Sequence, residues 1–481
     1  MGIFTREQVA QNNNVDNLWC IIDTSVYDLT EFGHAHPGGE AVLLQIAGTD
    51  CTGDFYNLHR HEVIHKYQHL KIGFIANETP SILAQNPGDL SLVPYGEPTW
   101  LMPQFKSPYY KDSHRALQKA MRVFVDTYIT PEAAEKEKSG EFISDELLQR
   151  MYKAGITQTR FGPGKHLHGV KILGGVVDGE EFDYFHDLIV VQEMARSGYR
   201  GFQDGNLGGM VIGLTAVMNW GQDEAWKDQI AHDCFSGKKK LSLAISEAFA
   251  GSDVAGIRTT ARKTADGKHY IVNGTKKWIT NGHFSDYFVT AVKSGEGVSV
   301  LLIERGPGVE TTPIKTSYSA TAGTASVYFD NVKVPVTNLL WQENKGFAVI
   351  MANFNHERWT IIAASIRMSR LVTEECMKWA NQRKYLARGS LTNRSSVRKQ
   401  NKHLAGPVAL MKMFASRSAH EIADEAVQIF GGRAITQTGM GRLVEMFNRT
   451  NKFDSILGGT EEILADLGIR QAMKFMPKSM L

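Results

Sequence analysis

Apolar and polar residues change their period along the chain, and each change marks a boundary. Residues 1–76 open with short strand-like stretches, LWCIID and VYDL, pass through histidine-rich helical stretches and close on LKIGFI. Residues 77–108 carry Pro80, Pro87, Pro94, Pro98, Pro103 and Pro108 without a helical period, which predicts a linker or a strap lying along a surface. From 109 to 240 the pattern is helical, as in FHDLIVVQEMARS with apolar residues at i and i+4. Between 241 and 345 it shifts to period two. RTTARKTADGKHYIVNG predicts a hairpin, because Asp266-Gly267 between alternating runs favours a primed turn. SDYFVTAV, VSVLLIE and ASVYFDNVKVP predict further strands. Helical periodicity returns over 346–481, including the long WTIIAASIRMSRLVTEECMKWANQRK, and no internal repeat is present.

A chain of 481 residues exceeds one ordinary core, so several domains are expected. With 42% hydrophobic and 22% charged residues the composition is that of a folded protein rather than a disordered one. A net charge of +2 leaves no polybasic footprint, so nucleic acid is not an expected partner. Cys20, Cys51, Cys234 and Cys376 are scattered without a CxxC, as suits reduced thiols in an intracellular compartment. No apolar run approaches the roughly 18 residues of a membrane span, and a soluble protein is expected. MGIFTREQ is neither a secretory signal nor an Arg-rich transit peptide, and Arg6 stands where myristoylation needs Ser or Thr. Ser479-Met480-Leu481 differs by one residue from the Ser-Lys-Leu address, pointing to the peroxisome over mitochondrion or cytosol, with an accidental tail as the alternative.

Chemistry first appears in the histidines: six of the 16 (34, 36, 59, 61, 65 and 69) fall within the first 75 residues. Solvated surface histidines and a zinc cluster are two readings, the second weakened by the lack of cysteines at ligand spacing. A third rests on local detail. His36 precedes Pro37-Gly38-Gly39, a stiff-then-flexible turn able to present an imidazole edge, and His59 follows behind Phe55. Two neutral imidazoles across an apolar slot would fill both axial positions of a haem iron and leave it an electron carrier. The segment resembles the cytochrome b5 fold over nearly its whole length, through VYDLTEF before HPGG, AGTDCT, Phe-x-x-x-His and KIGFI. That resemblance implies haem b with His36 and His59 as iron ligands, His61 being the rival for the second.

LSLAISEAFAGSDVAGIRTTA couples a strand to a small-residue loop of the kind that lets backbone N–H groups approach phosphate or a flavin edge. KKWITNG follows, with Trp278 beside Thr280; Lys276 and Asn281 place this segment at a surface or cleft. Together with FDNVKVPVTNLL, FNHERW, RKYLARG, AVQIFGG and GGTEEI in that order, these motifs resemble the acyl-CoA dehydrogenase family from about residue 109 onward. The implied fold class is multidomain α+β. A small cytochrome b5-like domain (1–76) and a linker (77–108) precede a helical domain (109–240), a β-barrel-like domain (241–345) and a C-terminal four-helix domain (346–481). The resemblance implies FAD along Ile245, Ser246, Gly251, Ser252, Trp278, Ile279 and Thr280. It also implies that Arg383, Gln428, Gly431 and Gly432 cradle a neighbouring subunit's FAD and that Thr460 and Glu462 close on the cofactor. Ser252, Asn355 and Arg358 would face the acyl-CoA. A cofactor shared between subunits implies a homodimer or homotetramer. RKYLARGSLTNRSSVRKQ departs from the family's Arg-x-Thr-Phe-Gly and its following Gln, with Arg398 near that place.

Dehydrogenation of a thioester needs a carboxylate to remove the Cα proton while a hydride leaves Cβ, and the base must be desolvated enough for its pKa to rise. Much of the family keeps this glutamate just before Gly-Thr, where this chain has Gly458. Glu461 and Glu462 lie beyond the threonine and suit the start of a helix. FNHERW offers the other family position, resembling the isovaleryl and long-chain branches, and makes Glu357 the expected base. The expected activity is FAD-dependent α,β-dehydrogenation of acyl-CoA to 2-enoyl-CoA, in fatty-acid or branched-chain oxidation. Electrons would pass to an electron-transfer flavoprotein or a cytochrome, with the haem domain draining or feeding the flavin one electron at a time. An acyl-CoA oxidase and an inactive haem-binding protein are the alternatives.

Overall fold

The computed structural model describes residues 1–82, 86–93, 95–102, 104–205, 209–382 and 405–474. They form two compact units, one built on Met1–Asn86 with Val427–Glu445 and residues around Trp379, the other on the remainder.

In the first unit a five-stranded sheet runs in the order Gly2–Phe4, Lys71–Ile75, Ser25–Asp28, Asn17–Ile22, Asn13–Asn14. Its alternation puts Leu18, Cys20 and Ile22 on one face, where they pack with Tyr27, Leu29, Leu43 and Cys51. Three short helices, Glu40–Ile46, Thr52–Leu58 and Glu62–Lys66, close over that face. Phe32, Ile46, Phe55, Ile64 and Leu70 pack against the same cluster but stay only partly buried. Apolar side chains therefore line the helices without being fully covered.

The second unit is helical, then β, then helical. Helix Tyr184–Arg196 forms where the apolar i, i+4 pattern predicts it, and Asp183 caps it by accepting from the N–H groups of Phe185 and His186. His114, Asp183 and His186 come within 4.8 Å of one another, as metal ligands would. Each ring nitrogen already has a partner, however: Lys111 N and Asp183 for His114, Asp183 N and Ser113 Oγ for His186. The trio is a capping arrangement.

Seven strands follow in the order Gly297–Glu304, Tyr287–Ser294, Thr260–Lys263, His269–Ile279, Ala325–Pro335, Val309–Pro313, with Leu241–Ala244 alongside Tyr287–Ser294. The hairpin over Asp266-Gly267 is present, with Tyr270 opposite Lys263. Its turn is not primed. Only Gly267 has positive φ, and Gly267 N–H donates to the Thr264 carbonyl, closing a longer loop that Asp266 also braces through Lys268 N–H. After the sheet come Gly346–Gln382, Ala405–Phe430, Arg442–Ile456 and Glu461–Met473. Part of the 77–108 stretch lies against the helical region through a buried Glu97–Arg122 ion pair and a bond from Arg370 to the Tyr95 carbonyl. All four cysteines are free and buried.

Candidate functional site

In the first unit the rings of His36 and His59 face one another in nearly parallel planes, 7° apart with centroids 6.0 Å apart. Two imidazole–metal bonds of about 2 Å each, with the ring radii added, fill that span. His36 Nδ1 lies 3.3 Å from the Gly39 carbonyl oxygen, which fixes the ring and leaves Nε2 free for a metal. The two glycines of HPGG have separate reasons. A β-carbon on Gly38 would stand 2.9 Å from His36 Cε1, and Gly39 has φ of +83°. His59 follows helix Thr52–Leu58, its ring 5.0 Å from that of Phe55. Burial, reinforced by His36, holds its pKa below the usual histidine range, which favours the neutral imidazole that a metal requires. His61 is engaged elsewhere, its Nδ1 bonded to Tyr56 Oη at 2.8 Å. The donor set and the partly buried apolar walls fit a bis-imidazole haem.

The loop after Leu241–Ala244 is held from below by a buried ion pair. Lys276 Nζ donates to Glu247 Oε1 at 2.7 Å and to the Ile245 carbonyl at 3.0 Å. The Glu247 carboxylate also accepts from the N–H groups of Arg258 and Thr259. Burial opposes its ionisation, but the Lys276 and Thr259 bonds outweigh it and keep the carboxyl below its ordinary range. Burial lowers Lys276 to about 8. Lys276 and Asn281 are therefore buried, at 0% and 1% exposure, rather than placed at a surface as their polarity implied. Each has an internal partner, Glu247 and the Leu241 carbonyl.

Between them stands Trp278, at a register shift in the strand, with φ of 60° and the residue 49% exposed. A bulky residue in the left-handed region is a strained outlier that its surroundings must impose. The bulge turns the indole out of the sheet while Ile279 stays in the core. Ser246, partly buried, receives the Lys277 N–H on its carbonyl, so the loop and the Trp278 strand form one platform. Gly251 and Ser252 are exposed at its rim, and Thr280 is partly buried. A flat aromatic cofactor fits this exposed ring and its small-residue rim.

Glu357 lies on helix Gly346–Gln382, is 9% exposed, and its Oε2 has no hydrogen-bond partner among the described residues. Burial raises its pKa to about 7; Arg358 and Lys412 pull it down and Asp204 pushes it up. Gly458 sits opposite. A β-carbon there would lie 3.7 Å from Glu357 Cδ, 3.3 Å from Ile361 and 3.4 Å from Arg358 Cγ. Arg358 Nε donates to the Gly458 carbonyl at 2.8 Å, and Lys412 Nζ to the Gly459 carbonyl at 3.1 Å. Asn355, one turn before Arg358, is partly buried. Thr460 is the N-cap residue of helix Glu461–Met473, with Glu461 and Glu462 in its first turn. Glu461 is engaged by Arg417, from which it accepts at 2.9 Å.

Among the other expected cofactor residues, Gln428 ends helix Ala405–Phe430, and Gly431 and Gly432 open the short turn after it, in the first unit. Arg383 and Arg398 lie outside the described residues, as does the 479–481 tail. Lys412, Asp204 and the Glu247–Lys276 pair escaped the sequence reading. The signal for Lys412 was a lone charge inside the apolar run ALMKMFA.

Comparison with known proteins follows this division. Residues 5–76 match the cytochrome b5-like heme/steroid binding domain. Residues 111–237, 242–332 and 344–473 match the N-terminal, middle and C-terminal domains of acyl-CoA dehydrogenase. The acyl-CoA dehydrogenase apdG of Emericella nidulans is 36% identical over 80% of this chain and 96% of its own. The mitochondrial long-chain specific acyl-CoA dehydrogenase of Sus scrofa is 29% identical over 75% of this chain and 87% of its own. The crystal structure of a probable acyl-CoA dehydrogenase from Mycobacterium abscessus superposes with a TM-score of 0.65 at 26% identity, covering 75% of this chain and 99% of the other.

Proposed function

Because this chain belongs to the acyl-CoA dehydrogenase family and carries a cytochrome b5-like domain ahead of it, we propose that it dehydrogenates acyl-CoA thioesters with Glu357 as the base. When bound, FAD supplies the hydride acceptor and haem b a one-electron carrier. The observation that carries the reading is the approach of the Glu357 carboxyl to the space that Gly458 leaves open. One family position is emptied and the other filled at the same point.

The chain's own residues prepare proton removal. Burial makes Glu357 a base near neutrality, matched to a weakly acidic Cα proton. Arg358 and Lys412 hold the Gly458 and Gly459 carbonyls, fixing the loop that faces the base. Trp278, Thr280, Ile245, Ser246, Gly251 and Ser252 would hold the flavin and Thr460 and Glu462 would close on the cofactor, while Arg383, Gln428, Gly431 and Gly432 would cradle the FAD of a neighbouring subunit. Ser252, Asn355 and Arg358 would face the thioester, and His36 and His59 the haem iron. An inactive relic is not favoured, since a buried carboxyl stands at the expected base position, and oxidase chemistry is not favoured, since the similar proteins are dehydrogenases.

Electrons would leave for an electron-transfer flavoprotein or a cytochrome. Phe414, Ile456, Ile463 and Ile469 are exposed on the C-terminal helices, which supports a homodimer or homotetramer. Among the described residues no helix is long and apolar enough to cross a membrane. The test is anaerobic mixing with acyl-CoA: bleaching of the flavin that depends on Glu357 upholds the reading, and an unbleached flavin across a chain-length panel overturns it.

A further inference from the structure

Around Glu357 the interior is more polar than a hydrocarbon chain requires. Arg160 is 6% exposed, and its Nε and Nη1 have no hydrogen-bond partner among the described residues. Asp187 is fully buried, and neither carboxyl oxygen has a partner. Gln203 Nε2 and Thr157 Oγ1, on neighbouring segments, are also buried without partners. Arg160 and Asp187 are linked to the helix that carries the base. His356, next to Glu357, bonds through Nε2 to the Arg160 carbonyl at 3.2 Å, and a β-carbon on Gly162 would touch both Asp187 Oδ2 and His356 Cε1. Asp204 acts electrostatically on both Arg160 and Glu357.

Buried polar atoms are nearly always satisfied, so a cluster left open beside a reaction site points to a ligand that completes it. Nearby Arg200 shows the contrast. It is equally buried, yet Asp204 and Asp454 engage it at 2.8 and 2.5 Å. Arg160 feels the charges of Asp187 and Asp204, yet its Nε and Nη1 bond to neither. Its free N–H groups, with those of Gln203, are donors, and they call for an acceptor oxygen.

We propose, resting on the dehydrogenase reading above, that the acyl group carries an acceptor oxygen beyond its reacting carbons, a ketone or a carboxylate, and that Arg160 receives it. A site built to bond such an oxygen discriminates strongly against the plain hydrocarbon, because its polar groups are then left unpaired.

The test uses the full-length protein with Glu357→Gln and reads dissociation constants by calorimetry for three CoA thioesters of equal chain length. One is a plain hydrocarbon, one ends in a carboxylate, and one carries a ketone. At least one oxygenated thioester should bind about tenfold or more tighter than the hydrocarbon, and Arg160→Met should bring that ratio close to one. Arg160→Lys, which keeps the charge, should preserve a carboxylate preference in part and a ketone preference hardly at all. Equal affinities before any change at Arg160 overturn the proposal, whether or not the variants fold. A variant that melts earlier with its ratio intact overturns it too, for Arg160 is then a structural ion-pair partner of Asp187. Flavin bleaching is scored separately and reports only on the dehydrogenase reading.

Discussion

Glu357 and Gly458, 101 positions apart in sequence, meet at one point: the glutamate Cδ lies 3.7 Å from where a β-carbon of the glycine would be. The glycine has φ of 65°, so the loop turns there in a way that few side chains tolerate.

Glu357→Gln should abolish flavin bleaching by acyl-CoA while FAD and thioester still bind. The amide is isosteric but hardly basic, and losing a positioned base typically costs about 10² to 10⁴ in rate. Glu461→Gln and Glu462→Gln should leave the chemical step nearly unchanged. Stopped-flow absorbance of the three variants decides between them.

The pH dependence follows from burial, which raises Glu357 to about 7. Flavin reduction should climb about tenfold per pH unit below that value and level off above it. Stability runs the other way. With the folded pKa raised, the contribution of Glu357 is fully present below the ordinary carboxylate pKa and is lost as pH rises toward 7. Glu357→Gln should therefore stabilise the protein above pH 7, by on the order of 3 kcal/mol, and hardly at all at pH 4. Thermal melts at the two pH values test the sign.

Gly458→Ala places a methyl group against Ile361 and Arg358 at positive φ. It should cost about 1 kcal/mol or more and lower the melting temperature. The exchange Gly458→Glu with Glu357→Gly should accordingly recover only part of the activity, measured as the rate of flavin reduction.

His59→Ala should remove the low-spin Soret spectrum and leave FAD bound, whereas His61→Ala should keep it, since the ring paired with His36 is that of His59. The opposite pair of spectra would reassign the ligand.

Lys276→Met strands the Glu247 carboxylate beneath the loop that follows Leu241–Ala244. Breaking a buried pair from one side costs about 3–5 kcal/mol. FAD should be released at lower temperature than from the wild type, as flavin fluorescence on heating will show.

Much of this was legible in the chain itself. Strand and helix periods are local, so FHDLIVVQEMARS and HYIVNGTKKWI appear as the elements they spell. HPGG likewise carries its own geometry, because a β-carbon at Gly38 meets the ring of His36 two residues away. Glu357 was named from motif order, through the resemblance to a known family. What the sequence could not contain were relationships made by burial between distant residues. Lys276 reads as a surface charge until Glu247, 29 positions earlier, is folded against it. Arg160 is one more polar residue in TQTRFG until helix packing removes its water and leaves its nitrogens unpartnered. Desolvation sets the charge, basicity and binding capacity of these groups, and it depends on which segments meet in space, so only the tertiary structure decides it.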